Sequence, residues 1–256
     1  MTSTDPNVAH YGFTAVPRDP DVLFQNHPTA NGSHPKQDPF TVKDFPVPES
    51  PIVNQKELDV QTFNHSNRVY VYGAALVKTH FPEWTYDNET WYLACILHDI
   101  GTAEKFLATT KMSFEFKGAI VARDLILKLG GAEDQADSVC DAIVRHQDIF
   151  VKGGNITQIG QALQLATILG KSFAIEAQFY NVGLRSNLIH PNLIESTVAA
   201  FPRMGWSDHF ARVVEKELDL KPWCHTSTFE IPAWTRGTPS NFARDVRGND
   251  VMRPFE

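Results

Sequence analysis

The stretch that decides the fold is Ala94-Cys95-Ile96-Leu97-His98-Asp99-Ile100-Gly101. Residues 91–97 are all apolar, so this part of the chain has no polar face and predicts a buried helix. Burying a His-Asp pair costs free energy unless the two groups are hydrogen-bonded or bind something. A divalent metal is the simplest candidate, because imidazole nitrogen and carboxylate oxygen are both good metal ligands. The alternative interpretation is a core histidine satisfied by its neighbour.

A second histidine upstream favours the metal interpretation. A helix is predicted over residues 58–81, in which His65, Val69, Tyr72 and Leu76 are separated by four, three and four positions. This spacing places the four side chains on one face of a helix. His65 is therefore predicted to point inward together with the apolar residues.

A third histidine ends another apolar face. The helix predicted to begin at Glu133 carries an inner stripe of Ala136, Val139 and Ile143, and His146 continues it. The sequence contains no strand-period run, no repeat of fixed period and no Gly-rich phosphate loop. These features predict an all-α fold.

The first 50 residues differ in composition from the rest of the chain. They contain eight prolines, which cannot support a long helix. We therefore expect residues 1–50 to form an extended Pro-rich arm, partly laid over a single all-α domain of residues 51–256.

The composition limits the classes of function. The 256 residues carry a formal net charge of −7, which argues against nucleic acid or an anionic membrane as the main partner. Three cysteines without CxxC spacing do not form a disulfide framework and favour a reducing compartment. The sequence shows neither a signal peptide nor an apolar stretch that could span a bilayer, and it predicts a cytoplasmic protein.

Several motifs in order resemble the fungal cyanamide hydratases, a branch of the HD-domain metal-dependent superfamily. They are residues 63–70, 98–104, 111–115, 142–148, 201–203 and 221–225. The resemblance implies an HD-domain helical bundle and a zinc enzyme that hydrates cyanamide to urea. It also implies that His65, His98 and Asp99 are the Zn²⁺ ligands. The implied partner is a small-molecule substrate, cyanamide or another small nitrile, and a homo-oligomer is compatible with the sequence.

One position departs from the family pattern. The family supplies a further aspartate ligand at the end of a later helix, where this chain has Gly170. Residues 170–180 resemble an intrusion that displaces this ligand, and Glu176 is its only acidic residue. Two alternatives therefore stay open: an HD-type phosphohydrolase, and a catalytically impaired or non-catalytic member of the family.

Three further residues are candidates for the chemistry. His146 matches a family motif and is interpreted as a proton-transfer residue or a hydrogen-bonded core histidine. Glu104 is interpreted as a proton shuttle or a surface residue. Thr102 stands where many HD phosphohydrolases carry a lysine, and it suits a small neutral substrate better than a phosphate.

Arg68, one turn after His65, is interpreted as a structural ion-pair partner.

Overall fold

A computed structural model describes residues 5–25, 40–49, 58–148, 151, 153–169, 188–230, 241–248 and 253–256. Within these residues the regular structure is almost entirely helical, so the all-α prediction is confirmed. The helices are α1 Pro6–His10, α2 Pro20–Gln25, α3 Val60–His80, α4 Asn88–Leu97, α5 Glu104–Leu107, α6 Phe114–Lys128, α7 Glu133–Arg145, α8 Gln158–Leu169, α9 Pro191–Ala200, α10 Trp206–Leu220 and α11 Phe242–Arg247. Short 3₁₀ turns cover Val42–Asp44, Ile100–Thr102, His225–Phe229 and Arg253–Phe255.

Side-chain caps begin the two helices that lead to the His-Asp pair. Asp59 accepts a hydrogen bond from the Thr62 backbone N–H at 2.8 Å and begins α3. Asp87 accepts one from the Thr90 backbone N–H at 2.7 Å and begins α4. Each carboxylate also suits the positive end of the helix that it caps. All residues of α4 from Thr90 onward are buried, as its apolar sequence predicts.

The core lies among α3, α4, α7 and α8. Helix α3 packs on both α4 and α8, and α7 packs on α4, α6 and α8. The buried apolar side chains of these helices form one continuous cluster, which buries the middle of α3 and the whole apolar length of α4. A second cluster joins α10, α11 and the turn at His225–Phe229. The inner end of α4 therefore lies deep inside the bundle.

The N-terminal arm is more regular than the sequence predicted. Its described residues form α1, α2 and strand β1 (Ala15–Pro17), which pairs antiparallel with β2 (Asn155–Thr157). No strand was expected, because three-residue strands are too short to show a period. Leu23 and Phe24 are buried in the main core cluster, so this part of the arm packs as an integral layer. Residue 50 lies outside the described residues, and the boundary between arm and domain stays a prediction.

The 3₁₀ turn after the His-Asp pair approaches α6 very closely. A Cβ atom added to Gly101 would lie 1.9 Å from the Phe114 carbonyl oxygen, a distance that no side chain can accept. Gly118 lies on the same contact, where an added Cβ would come within 3.0 Å of the Gly101 nitrogen. Two glycines therefore allow the backbone after Asp99 to rest directly on the first turns of α6.

None of the helices in the described ranges combines the length and the apolar character needed to cross a membrane.

Candidate metal centre

Three side chains from two helices meet inside the bundle. His65 comes from the middle of α3, and His98 and Asp99 follow directly after α4. One ligand atom from each lies within 4.8 Å of the other two. His65 Nε2 is 3.5 Å and His98 Nε2 is 3.1 Å from the same oxygen, Asp99 Oδ2. All three residues are buried, with exposed fractions of 2%, 0% and 0%.

The end of α4 explains how two consecutive residues can face one point. His98 keeps helical backbone angles (φ −59°, ψ −34°), whereas Asp99 leaves the helix at φ −101° and ψ 12°. Thr102 closes the following turn, because its hydroxyl donates to the Asp99 carbonyl oxygen at 2.6 Å and its backbone N–H donates to the same oxygen at 3.0 Å. The backbone of Asp99 is thereby held in place while its carboxylate faces both histidines.

A hydrogen bond to the backbone shows which ring nitrogen of His98 carries the proton. The other nitrogen faces the carboxylate as an acceptor. His98 Nδ1 lies 2.7 Å from the Cys95 carbonyl oxygen, and a carbonyl can only accept, so we assign the proton to Nδ1. In neutral His98 the Nε2 lone pair then faces Asp99 Oδ2 at 3.1 Å, which is repulsive unless a cation lies between them. A metal-bound histidine whose other nitrogen donates to a backbone carbonyl has this arrangement. The donor set therefore fits a divalent metal.

His146 faces the other oxygen of the same carboxylate. Its Nε2 is 3.8 Å from Asp99 Oδ1, and its ring lies 5.3 Å from that of His98, edge to face. Its Nδ1 lies 2.7 Å from the Ile143 carbonyl oxygen, which fixes the same tautomer as in His98. The structure thus brings the third predicted histidine to the cluster, with Nε2 turned inward. Phe114 packs edge-on against its ring at 5.9 Å.

The other two predicted catalytic residues occupy different positions. Thr102 is buried next to Asp99, but its hydroxyl is used by the turn. The side chain of Glu104 is 72% exposed and forms an ion pair with Lys216. The structure does not place the Glu104 carboxylate among the buried groups of the cluster. The predicted loss of the aspartate at Gly170, with residues 170–180, lies outside the described residues.

An aromatic residue also contacts the cluster, which the sequence did not assign to it. The Trp206 indole stacks on the His65 ring, with the centroids 4.1 Å apart and the planes at 12°. Trp206 is the first residue of α10, and its burial alone would have marked it as core. The contact joins residues 141 positions apart, so no local pattern could have revealed it.

A buried carboxylate lies one residue after Phe114. Glu115 is fully buried, and its Oε1 lies 2.7 Å from His225 Nδ1. The hydrogen bond to Glu115 raises the pKa of His225, while burial raises the pKa of Glu115 itself. His225 Nε2 also lies 3.5 Å from Asp148 Oδ1. The imidazole is thus held between two carboxylates. In the sequence, only the two motifs that contain Glu115 and His225 pointed to this contact.

The regions that match known proteins include every residue of the candidate metal centre. The model of the HD domain family matches residues 62–169, which include all three candidate ligands and His146. The chain is 38% identical over 228 residues to two proteins of Saccharomyces cerevisiae (strain ATCC 204508 / S288c), Cyanamide hydratase DDI2 and Cyanamide hydratase DDI3. Each alignment covers 86% of this chain and 92% of the relative.

Proposed function

The chain belongs to the fungal cyanamide hydratase family of HD-domain proteins, and on that premise we propose that it hydrates cyanamide to urea. The observation that supports this most directly is the buried group of His65, His98 and Asp99. Two imidazoles and one carboxylate are a common set of protein ligands in catalytic zinc sites. Such a set leaves room for water or substrate, which hydration requires.

Zn²⁺ is the cation that we propose for this group. Neutral imidazoles and a carboxylate suit zinc, and the assigned tautomer of His98 leaves its Nε2 free to act as a ligand. When bound, zinc would act as a Lewis acid and lower the pKa of water toward neutrality. His65, His98 and Asp99 would hold it, and Thr102 would keep Asp99 oriented through the turn.

The reaction moves both protons of the added water to the nitrile nitrogen, and we assign this transfer to His146. The water oxygen bonds to the nitrile carbon while its first proton passes through the base to the nitrogen, which gives isourea. The remaining hydroxyl proton then moves to the same nitrogen as the C=O bond forms, which gives urea. His146 Nε2 faces the cluster while Nδ1 is held by the Ile143 carbonyl, so one nitrogen can accept and return a proton. The exposed position of Glu104 gives no support to its proposed role as a proton shuttle.

The proposed function is tested by metal content together with product formation. We expect the purified chain to bind about one zinc per chain, as the one three-ligand group among the described residues implies, and to release urea from cyanamide. His98→Ala should lose both properties, because it removes a ligand from a buried site. A folded, zinc-loaded protein that forms no urea would contradict the proposal.

The same preparation separates the alternatives that the sequence left open. Release of phosphate from nucleotides would favour the HD-type phosphohydrolase. A chain without bound metal would favour a catalytically impaired or non-catalytic relative, in keeping with the departure at Gly170. Replacement of residues 170–180 by a single Asp should then restore zinc and urea formation.

From the sequence we also propose a cytoplasmic protein whose partner is a small molecule rather than nucleic acid or a membrane. The net charge of −7 supports this, because it opposes binding to polyanions. The homo-oligomer stays a proposal, which light scattering coupled to size-exclusion chromatography would test.

A further inference from the structure

Trp206 lies against one of the candidate metal ligands in a stack of three rings. Its indole is nearly parallel to the His65 imidazole, with the planes at 12° and the centroids 4.1 Å apart. The Phe210 ring is also nearly parallel to the indole, at 21° and 5.4 Å. All three residues are at most 2% exposed. The His65 ring therefore rests on an aromatic surface that is itself packed inside the protein.

Two side chains of α3 hold the segment that leads into α10. Asn64 Nδ2 donates to the Pro202 carbonyl oxygen at 3.0 Å. Arg68 Nη1 donates to the same oxygen at 3.1 Å and to the Phe201 carbonyl oxygen at 2.8 Å. Asn64 directly precedes His65 in the sequence, and Arg68 comes three positions after it. The segment is thus tied to α3 by residues on both sides of the candidate ligand.

A tight turn connects this segment to the indole. Met204 and Gly205 both have left-handed backbone angles, with φ of 55° and 70°. Residues other than glycine seldom adopt a positive φ, so the contacts around Met204 must hold it there. Gln61 Nε2 donates to the Met204 carbonyl oxygen at 3.4 Å, and the Trp206 backbone N–H donates to the Arg203 carbonyl oxygen at 3.1 Å. Trp206 therefore begins α10 at a fixed place relative to α3.

The plane of an imidazole decides where its lone pair points. The lone pair of Nε2 lies in the ring plane, so a ring that rotates about its Cβ–Cγ bond directs it elsewhere. His65 Nε2 is 3.5 Å from Asp99 Oδ2, and the stack on Trp206 restricts rotation of the ring away from this direction. An indole face also attracts positive charge, so it favours an imidazole that shares its lone pair with a cation.

We propose that Trp206 is a positioning residue for His65: its indole holds the plane of the imidazole so that Nε2 faces Asp99 before a cation binds. This inference rests on the proposed function, because it needs a metal at the centre. Groups that orient metal-bound histidines raise the affinity for the metal, and their removal typically costs about 10–100-fold. For His65 the orienting group is an aromatic face, whereas the Cys95 carbonyl oxygen orients His98.

The zinc affinity of the full chain tests the proposal without any substrate. Competition with a chromogenic chelator measures the dissociation constant, at a temperature at which circular dichroism shows that each chain is folded. Trp206→Leu should weaken zinc binding by about 10–100-fold, because it removes the flat face under the imidazole. Trp206→Phe keeps an aromatic ring and should recover most of the affinity.

Phe242→Leu is the matched control for a merely structural role of Trp206. Phe242 is 1% exposed and belongs to the same apolar cluster, in which its ring packs on those of Phe210 and Phe229. Denaturant unfolding of the metal-free chain should show a lower stability for this variant, as for Trp206→Leu. Its zinc dissociation constant should nevertheless stay within about twofold of that of the unmodified chain.

Equal zinc affinities of Trp206→Leu and the unmodified chain would overturn the proposal. An equal loss of affinity in Phe242→Leu and Trp206→Leu would also overturn it, since a general loosening of the cluster would then explain both. If Trp206→Leu does not fold, Trp206→Met takes its place, because a flexible thioether fills space without offering a flat face.

The same measurements separate this proposal from the proposed function. A chain that binds zinc but forms no urea would contradict the proposed function alone, and the variants would still be compared by their zinc affinities. An unmodified chain that binds no zinc would overturn both.

Discussion

At the scale of single residues, His146 is the sharpest test of the proposed chemistry. His146→Gln should keep the metal and lower kcat/KM for cyanamide by about 10²–10⁴-fold, the range typical of a positioned acid–base group. The reason is that His146 Nε2 faces Asp99 at 3.8 Å, while the three candidate ligands are left intact. Urea formation and zinc content, measured on the same sample, check this prediction.

Glu104→Gln is the matched control for that variant. The Glu104 side chain is exposed and forms an ion pair with Lys216, and exposed pairs contribute about 0–1 kcal/mol. We expect kcat/KM to stay within about twofold of the unmodified chain, since no buried group changes. A large loss of activity in Glu104→Gln would instead support the proton-shuttle role predicted for this residue from the sequence.

The residues that the sequence identified correctly as neighbours share one property. His65 lies on α3, and His146 directly follows α7 with helical backbone angles, so the spacing of apolar residues reveals which way both side chains point. Glu104 follows the break at Gly101, where no period fixes the direction of a side chain. Arg68, interpreted as an ion-pair partner, donates from Nη1 to the carbonyl oxygens of Phe201 and Pro202, which are more than 130 positions away along the chain. Contacts of this kind are set by packing and leave no local pattern.

At the scale of secondary-structure elements, the contact between the turn after Asp99 and α6 is a critical one. Gly101→Ala would place a methyl group 1.9 Å from the Phe114 carbonyl oxygen, so backbone must move. We expect a loss of about 1–3 kcal/mol or more in the free energy of unfolding, together with weaker zinc binding. Urea unfolding and metal titration measure the two effects.

Gly248→Ala provides the control for this prediction. A Cβ at Gly248 would lie 3.5 Å from the nearest atom, an ordinary van der Waals distance, and its backbone angle is negative. The free energy of unfolding should change by less than about 0.5 kcal/mol. A Gly101→Ala variant as stable as Gly248→Ala would show that α6 can retreat without cost.

The turn at His225–Phe229 is held to α6 by a pH-dependent contact. The hydrogen bond to Glu115 raises the pKa of His225, with Asp148 and Glu217 adding to the effect. The stabilisation is therefore complete below the unfolded pKa of about 6.5 and is lost as the pH rises through the higher folded value. Burial raises the pKa of Glu115, so its ionisation weakens the folded state in the same direction.

His225→Gln tests this contact. We expect the variant to lower the free energy of unfolding by about 1–2 kcal/mol at pH 6, and the difference should shrink toward pH 9. Urea unfolding at both pH values measures it. His10→Gln, which changes an exposed histidine, should show no such dependence. A difference for His225→Gln that grows with pH would contradict the assigned direction.

At the scale of the whole molecule, metal and fold should be coupled. The candidate ligands come from α3 and from the end of α4, so a bound cation would join two central helices. At a free zinc concentration about 100 times the dissociation constant, the metal should stabilise the fold by about 2.7 kcal/mol. For a chain of this size this corresponds to a rise of about 5–10 °C in melting temperature.

Thermal unfolding after dialysis against a chelator, with and without added zinc, measures this coupling. Asp99→Asn removes the charge but keeps the shape, and it should lose most of the zinc response. If zinc shifts the melting temperature of Asp99→Asn as much as that of the unmodified chain, the cation binds elsewhere.

The sequence predicted the helices of the core more accurately than the structure of the N-terminal arm. The apolar helices follow from local patterns: α3 spans Val60–His80 against the predicted residues 58–81, and α7 begins at Glu133 as predicted. The arm was predicted to be extended because prolines exclude long helices, yet short ones begin at Pro6 and Pro20. Proline is favourable at the first position of a helix, and the number of prolines in the arm does not show which of them occupy that position.

The stacking of Trp206 on His65 gives the protein an intrinsic optical sensor. An imidazole that gains or loses a positive charge 4.1 Å from an indole alters the emission of that indole. Because Trp206 is only 2% exposed, a collisional quencher in the solvent reduces the emission of the 61% exposed Trp223 far more than that of Trp206 or of the other buried indoles in the described ranges, Trp84 and Trp91. Occupation of the centre can therefore be followed by fluorescence in the unlabelled chain, without substrate and without turnover.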